Sequence, residues 1–210
     1  MKHWVFDLDG TLVDSFPHYF VALSEIFDAH GAEFSDPLRL PALTQPLPEF
    51  FAKHLGLEAV PQAMSAIHEK SVRDATEIRT FPGVKDALRG LRESGSRIAV
   101  WTSRDLISAQ LILNHSGLDP YVELCVSGSC TQERKPHPEG LLRIVDHFEC
   151  RPEAVTMTGD HEYDVIAAKK IGARAVRASW HGAWDIELCS ISDFQFHQIE
   201  DFREWMEKPQ

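Results

Sequence analysis

The sequence predicts an α/β fold: a parallel sheet core with helices on both faces, interrupted once by an all-helical insertion. Three observations predict it. Short apolar runs that end in a polar residue recur along the chain, segments with helical apolar spacing separate them, and one long stretch after the first run contains helical patterns without any strand.

Taken in order, Trp4-Val5-Phe6 is a buried-strand run that stops at Asp7. Phe20, Leu23 and Phe27 follow at helical spacing, with Pro17 in the first turn and Gly31 beyond the end. From about Ser35 to Ile78 the prolines Pro37, Pro41, Pro46, Pro48 and Pro61 divide the chain into short helices, and Phe50-Phe51 reads as core. Val84, Ala87, Leu88 and Leu91 then share one helix face, closed at Gly95. Ile98 to Trp101 is a strand ending at Thr102, and Leu106, Ala109 and Leu113 mark a helix that Gly117 ends. Val122 to Val126 is a weaker strand. Leu141, Ile144, Val145 and Phe148 form a helical stripe, for which Pro136 is placed in the first turn. Ala154 to Met157 runs as a strand into Gly159-Asp160, a helix extends to Ile171, Arg174 to Arg177 is a further strand, and Phe202 and Trp205 belong to a last helix. The expected domains are residues 1–14 with 81–210 as the α/β core and residues 15–80 as an inserted cap.

Length and charge bound the function. The chain of 210 residues matches one compact domain with a modest insertion. Lys and Arg number 21 against 32 Asp and Glu, a net charge of −11, so no basic footprint for nucleic acid or an anionic membrane is available. No apolar stretch approaches the ~20 residues of a membrane span. Cys125, Cys130, Cys150 and Cys189 lack zinc-ligand or CxxC spacing and read as reduced thiols of a cytoplasmic protein.

In an open α/β sheet, ligands bind beyond the carboxyl ends of the strands. Three predicted strands lead there into Asp7, Thr102 and Asp160. In Asp7-Leu8-Asp9-Gly10-Thr11 two carboxylates lie two residues apart at a turn that Gly10 permits, and in Gly159-Asp160-His161-Glu162-Tyr163-Asp164 the i, i+4 spacing puts two more on one side of a helix start. Four converging carboxylates, Asp7, Asp9, Asp160 and Asp164, require a cation among them, and an all-oxygen site with few ligands suits Mg²⁺. Lys135, before Pro136, is the counter-charge for an anionic substrate.

The ordered set Asp7-Leu8-Asp9-Gly10-Thr11-Leu12-Val13-Asp14-Ser15, Thr102, Lys135-Pro136 and Gly159-Asp160-x-x-x-Asp164 resembles the haloacid dehalogenase superfamily, and within it the phosphoglycolate phosphatase and β-phosphoglucomutase branch with a helical cap. The resemblance implies a Rossmann-like core and a Mg²⁺-dependent phosphatase acting on a small phosphorylated metabolite. It implies Asp7 as the nucleophile that becomes an aspartyl phosphate, and Asp9 as general acid, then base. It implies Thr102, grouped with Ser103 and Lys135, as the phosphate-binding set. Mg²⁺ would be held by Asp7, the Asp9 backbone carbonyl and Asp160, with Asp164 direct or through water. An acid at position 9 favours phosphate chemistry over carbon–halogen cleavage. His161 departs from the small hydroxyl residue common in relatives. A phosphomutase, and a catalytically idle binding protein on the same fold, remain open alternatives, and oligomeric state is not legible. Ser103 and Asp105 are candidates to cap the helix after Thr102. Scattered His30, His54, His68 and His115 are not ligands; His18 is scattered like them, but at the start of the cap near the hinge it could reach substrate, and Trp180-His181-Gly182 forms either a loop near the site or aromatic packing.

Overall fold

The computed structural model describes residues 3–182 and 191–207; Cys189 lies outside the described residues. In chain order the elements are β1 (His3–Phe6), β2 (Val13–Asp14), α1 (Phe16–Ala29), α2 (Arg39–Thr44), α3 (Leu47–Leu55), α4 (Val60–Asp74), β3 (Arg79–Thr80), α5 (Val84–Glu93) and β4 (Arg97–Trp101). They continue with α6 (Leu106–His115), β5 (Leu124–Val126), α7 (Glu139–His147), β6 (Val155–Gly159), α8 (Glu162–Ile171), β7 (Arg174–Ala178), β8 (Phe194–Phe196) and α9 (Ile199–Glu207). The chain divides into two units, Met1–Asp14 with Glu77–Gln210, and Ser15–Thr76.

The first unit is an α/β sheet of six parallel strands in the order β5-β4-β1-β6-β7-β8. Parallel neighbours need crossovers, and the helices that supply them cover both faces. On one face Val5, Ala99, Met157 and Ala175 pack with Leu141, Ile144 and Val145 of α7 and with Val165, Ala167 and Ala168 of α8. The alternate residues Trp4 and Phe6 point to the other face, where both meet Phe202 of α9 edge-on at centroid distances of 6.0 and 6.2 Å. The α5 stripe Val84, Ala87, Leu88 and Leu91 is buried as its spacing requires. β2 and β3 form a small antiparallel pair, Val13 opposite Thr80 and Asp14 opposite Arg79.

Two local expectations are corrected. Pro136 does not open the helix after Lys135: α7 begins at Glu139, its N-cap is Pro138, and Lys135-Pro136 is a cis peptide in the preceding turn. β8 was not expected, because Phe194-Gln195-Phe196 is too short to display a period; the parallel pairing with β7 makes it a strand.

The second unit is helical. Its core gathers Leu23, Ile26 and Phe27 of α1, Ala42, Phe50, Phe51, Ala63 and Ile67. Phe27 lies 5.3 Å from Phe34 and 5.8 Å from Phe50 between ring centroids. Pro17, Pro48 and Pro61 sit in the first turns of α1, α3 and α4, where a missing N–H is harmless. They therefore start helices rather than break them, and α4 reaches 15 residues. His18, on α1, is half-buried.

Candidate functional site

The site grows from the carboxyl edge of the sheet. The Asp7 backbone N–H donates to the Thr158 carbonyl at 2.9 Å, which carries the β1–β6 pairing to the point where the side chain leaves the sheet. The chain then closes a tight turn: Leu12 and Val13 N–H donate to the Leu8 carbonyl, and Gly10 N–H donates to that of Val13. Gly10 adopts φ 72°, a left-handed conformation that glycine takes without strain. From β6, Gly159 leads to Asp160, and Asp164 lies in the first turn of α8.

Asp7, Asp160 and Asp164 are buried, at 8%, 5% and 1% exposure, and each offers an oxygen within 4.8 Å of the others. Gly159 makes this possible. A Cβ there would stand 2.3 Å from Asp164 Oδ2, so only glycine lets the carboxylate fold back over the strand end. Asp164 also accepts from the His161 backbone N–H at 3.3 Å, while His161 Nδ1 accepts from the Tyr163 N–H at 3.1 Å, a reciprocal cap on α8. His161 thus holds the helix start, and burial lowers its pKa, consistent with a neutral imidazole that accepts. Thr11 Oγ1 donates to Asp160 at 3.4 Å, and Trp180 Nε1 donates to the Thr11 carbonyl at 3.0 Å. Trp180 also packs on Phe202, so both expectations for the Trp180-His181-Gly182 segment describe part of its role.

Lys135 is the cation of this cluster. Its Nζ donates to Asp7 Oδ1 at 2.6 Å, Asp164 Oδ1 at 2.7 Å and the Trp101 carbonyl at 2.7 Å, which uses its three protons. It also lies 4.6 Å from the Trp101 ring centroid. Trp101 is itself seated against Gly140, where a Cβ would come within 2.1 Å of the indole nitrogen.

Three buried carboxylates face one ammonium. Burial, with Asp164 and Asp9 nearby, pushes the Asp7 carboxyl up to about 7 against the pull of Lys135. Burial, Asp7 and Asp164 raise Asp160 well above the ordinary range. For Lys135, desolvation acts to lower the pKa, yet the two carboxylates outweigh it and raise it. A site that suppresses the charge of its own oxygen ligands is short of positive charge, and three hard oxygen donors with a formal deficit of two match a dication such as Mg²⁺.

Asp9 stands apart from this group. The structure does not bring four carboxylates together: the Asp9 side chain turns to Arg104, whose Nε donates to Oδ1 at 2.9 Å and Oδ2 at 2.8 Å. The turn around Gly10 fixes the backbone, and the guanidinium decides where the carboxylate goes. Thr102 is buried at the end of β4, and its Oγ1 accepts from the Arg104 backbone N–H at 3.1 Å. Ser103 is exposed and does not cap α6; Asp105 does, accepting from the Ser108 N–H at 3.0 Å. Arg104 is the site residue that sequence reasoning missed, and the signal open to it was its position two residues after Thr102.

The surrounding histidines supply no further ligand among the described residues: the metal-competent cluster contains aspartates alone. No described helix is long and apolar enough to cross a membrane. Cys125, Cys130 and Cys150 are free thiols, and burial pushes Cys125 up to about 12.

The chain is similar to known proteins over most of its length. Residues 4–178 match the haloacid dehalogenase-like hydrolase family. The chain is 30% identical over 185 residues to "Probable phosphatase IndB" of Dickeya dadantii, covering 84% of this chain and 80% of that protein. It is 28% identical over 189 residues to a phosphoglycolate phosphatase of Xanthomonas campestris, covering 84% and 82%. A haloacid dehalogenase-like hydrolase structure from Streptococcus pneumoniae superposes with a TM-score of 0.87 at 21% identity, covering 99% of both chains.

Proposed function

Because the chain belongs to the haloacid dehalogenase-like hydrolase family, we propose that it is a Mg²⁺-dependent phosphatase that hydrolyses a small phosphorylated metabolite through an aspartyl phosphate on Asp7. The observation that carries this reading is the Lys135 ammonium bridging Asp7 and Asp164 inside a buried triad of carboxylates. The similarity to a phosphatase and a phosphoglycolate phosphatase supports the substrate class, a phosphomonoester such as a phosphoglycolate-like acid or a sugar phosphate.

In the first half-reaction an Asp7 carboxylate oxygen attacks phosphorus, the bond from phosphorus to the leaving oxygen breaks, and Asp9 gives that oxygen a proton. In the second, Asp9 takes a proton from water, the water oxygen bonds to phosphorus, and the Asp7–phosphorus bond breaks to release phosphate. Lys135 offsets the repulsion between an anionic nucleophile and an anionic substrate and holds Asp7 in place. The Thr102 hydroxyl, whose oxygen accepts from Arg104, has its proton to donate to a phosphoryl oxygen. Ser103, exposed in the same loop, belongs to the phosphate-binding set as a surface donor. Asp7, Asp160 and Asp164, with the Asp9 carbonyl, would hold Mg²⁺, which when bound withdraws charge from the phosphoryl oxygens.

The test is phosphate release from an aryl phosphate and a panel of phosphoglycolate, sugar phosphates, nucleotides and pyrophosphate, with Mg²⁺ and after chelation. Release that needs Mg²⁺ and vanishes in Asp7→Asn with an unchanged circular dichroism spectrum is expected. Full activity in Asp7→Asn would sink the mechanism, and isomerised sugar phosphate without free phosphate would make the protein a mutase.

A further inference from the structure

We infer that Arg104 is a positioning residue for the acid–base chemistry of Asp9, an inference that rests on the phosphatase reading above. The carboxylate of Asp9 must reach the leaving oxygen and then the attacking water, so its orientation enters both half-reactions. Its backbone is set by the turn through Gly10, but at 27% side-chain exposure nothing in that turn fixes the side chain. Arg104, 95 residues further along, does so. Both oxygens of Asp9 accept from the same Nε–H, at 2.9 and 2.8 Å, which turns the open side of the carboxylate toward the guanidinium.

Arg104 is in turn rigidly presented. Its backbone N–H donates to Thr102 Oγ1, and its carbonyl accepts from the Gly128 N–H at 2.7 Å. Gly128 is pressed so closely under this loop that a Cβ there would stand 2.4 Å from the Ser103 carbonyl oxygen. Asp105, the next residue, is tied down as the cap of α6. One short loop therefore carries two groups of the proposed chemistry: Thr102, assigned above to the phosphoryl group, and two residues later Arg104, which holds the Asp9 carboxylate. The pair also balances charge, since an unpaired Asp9 would add a fourth carboxylate beside three that share one ammonium. The side chain is 15% exposed and aimed at Asp9, so it acts on the reaction through that carboxylate rather than as a free anion hook.

The experiment is a double-mutant cycle of Arg104→Met and Asp9→Asn, read by steady-state hydrolysis of 4-nitrophenyl phosphate with Mg²⁺ and by thermal melting. Asp7→Asn serves as the blank, and Arg104→Lys as the conservative variant. Arg104→Met is expected to lower kcat by about 10²-fold, the scale on which misplacing a reacting group by about 1 Å acts, with KM within about threefold. In the Asp9→Asn background the same change is expected to cost less than about twofold, and Arg104→Lys is expected to recover part of kcat, because its ammonium still donates to Asp9. Equal losses in both backgrounds, a loss confined to KM, or an unchanged kcat in a folded Arg104→Met would overturn the inference. Failure of the phosphatase reading looks different: the wild type would release no phosphate, or Asp7→Asn would keep its full rate. The melting cycle still tests the pair in that event, since additive losses in Tm would show that Arg104 and Asp9 do not act together.

Discussion

Replacing Gly159 by alanine tests the close approach on which the acidic triad depends. The added Cβ would lie 2.3 Å from Asp164 Oδ2, 2.4 Å from its Cγ and 2.6 Å from its Cβ, whereas ordinary contact begins at 3.4 Å. A change of rotamer cannot relieve all three contacts, so the first turn of α8 must retreat by about 1 Å, an overpacking that costs about 1–3 kcal/mol. For a chain of this length Tm falls by about 2–4 °C per kcal/mol. The same retreat draws Asp164 away from Lys135, 2.7 Å distant, and disturbs the alignment of Asp7. A loss of kcat of about 10²-fold is expected for a displacement of that size. Differential scanning calorimetry and phosphate-release kinetics measure the two effects. Gly90→Ala is the control: Gly90 lies in the exposed interior of α5 with nothing within 4 Å of its virtual Cβ, so alanine there should stabilise by about 0.5–1 kcal/mol. If Gly159→Ala melts with Gly90→Ala, above the wild type, and keeps its rate, the argument from the glycine is refuted.

Three further outcomes are expected. Mg²⁺ raises Tm, by the equivalent of about 2.7 kcal/mol at one hundred times its dissociation constant, and Asp160→Asn abolishes the shift; an equal shift in that variant would place the ion elsewhere. Asp105→Ala costs about 1 kcal/mol through loss of the α6 cap, whereas Ser103→Ala stays within about 0.5 kcal/mol, a difference that urea unfolding resolves. Hydrogen bonds from Arg97, at 3.0 Å from Nε to both carboxylate oxygens, hold the Glu123 carboxyl below its usual value, opposed by partial burial. Since the folded pKa is the depressed one, this stabilisation is present above about pH 4.5 and is lost as pH falls through the folded pKa. Urea midpoints followed from about pH 6 to about pH 3 should therefore fall less steeply in Glu123→Gln, and parallel curves would show that the pair is not coupled to folding.

The candidate site was legible to the extent that strand ends announce it. Asp7 and Thr102 each follow a run of buried apolar residues and Asp160 follows the buried strand Val155–Gly159, so the parallel topology alone carries them to one edge. Asp164 follows from the start of α8, whereas Lys135 was read at a helix start and lies instead in the turn before α7. Arg104 was not legible, because an arginine beside Asp105 on an exposed turn reads as surface, and its significance lies in a contact spanning 95 positions. Asp9 was misplaced for the same reason: spacing puts it beside Asp7, but a carboxylate two residues away can turn either toward the triad or toward a guanidinium. His161 was noticed as a departure, and only the path of the chain shows it capping α8.

Periodicity and punctuation are local properties, written within a turn of helix or a few strand residues, so the sequence by itself determined the alternation of strands and helices, the helical insertion and the set of polar residues at the carboxyl edge. The tertiary structure decided which polar group pairs with which: Lys135 with Asp7 and Asp164, Arg104 with Asp9, and the Thr11 hydroxyl with Asp160. It also decided that β8 joins the sheet and that Gly159 is required by the carboxylate folded over it. The physical reason is that a buried charge is tolerated only beside a partner, and partners are selected by distance in space, a quantity that sequence spacing does not carry beyond the next turn.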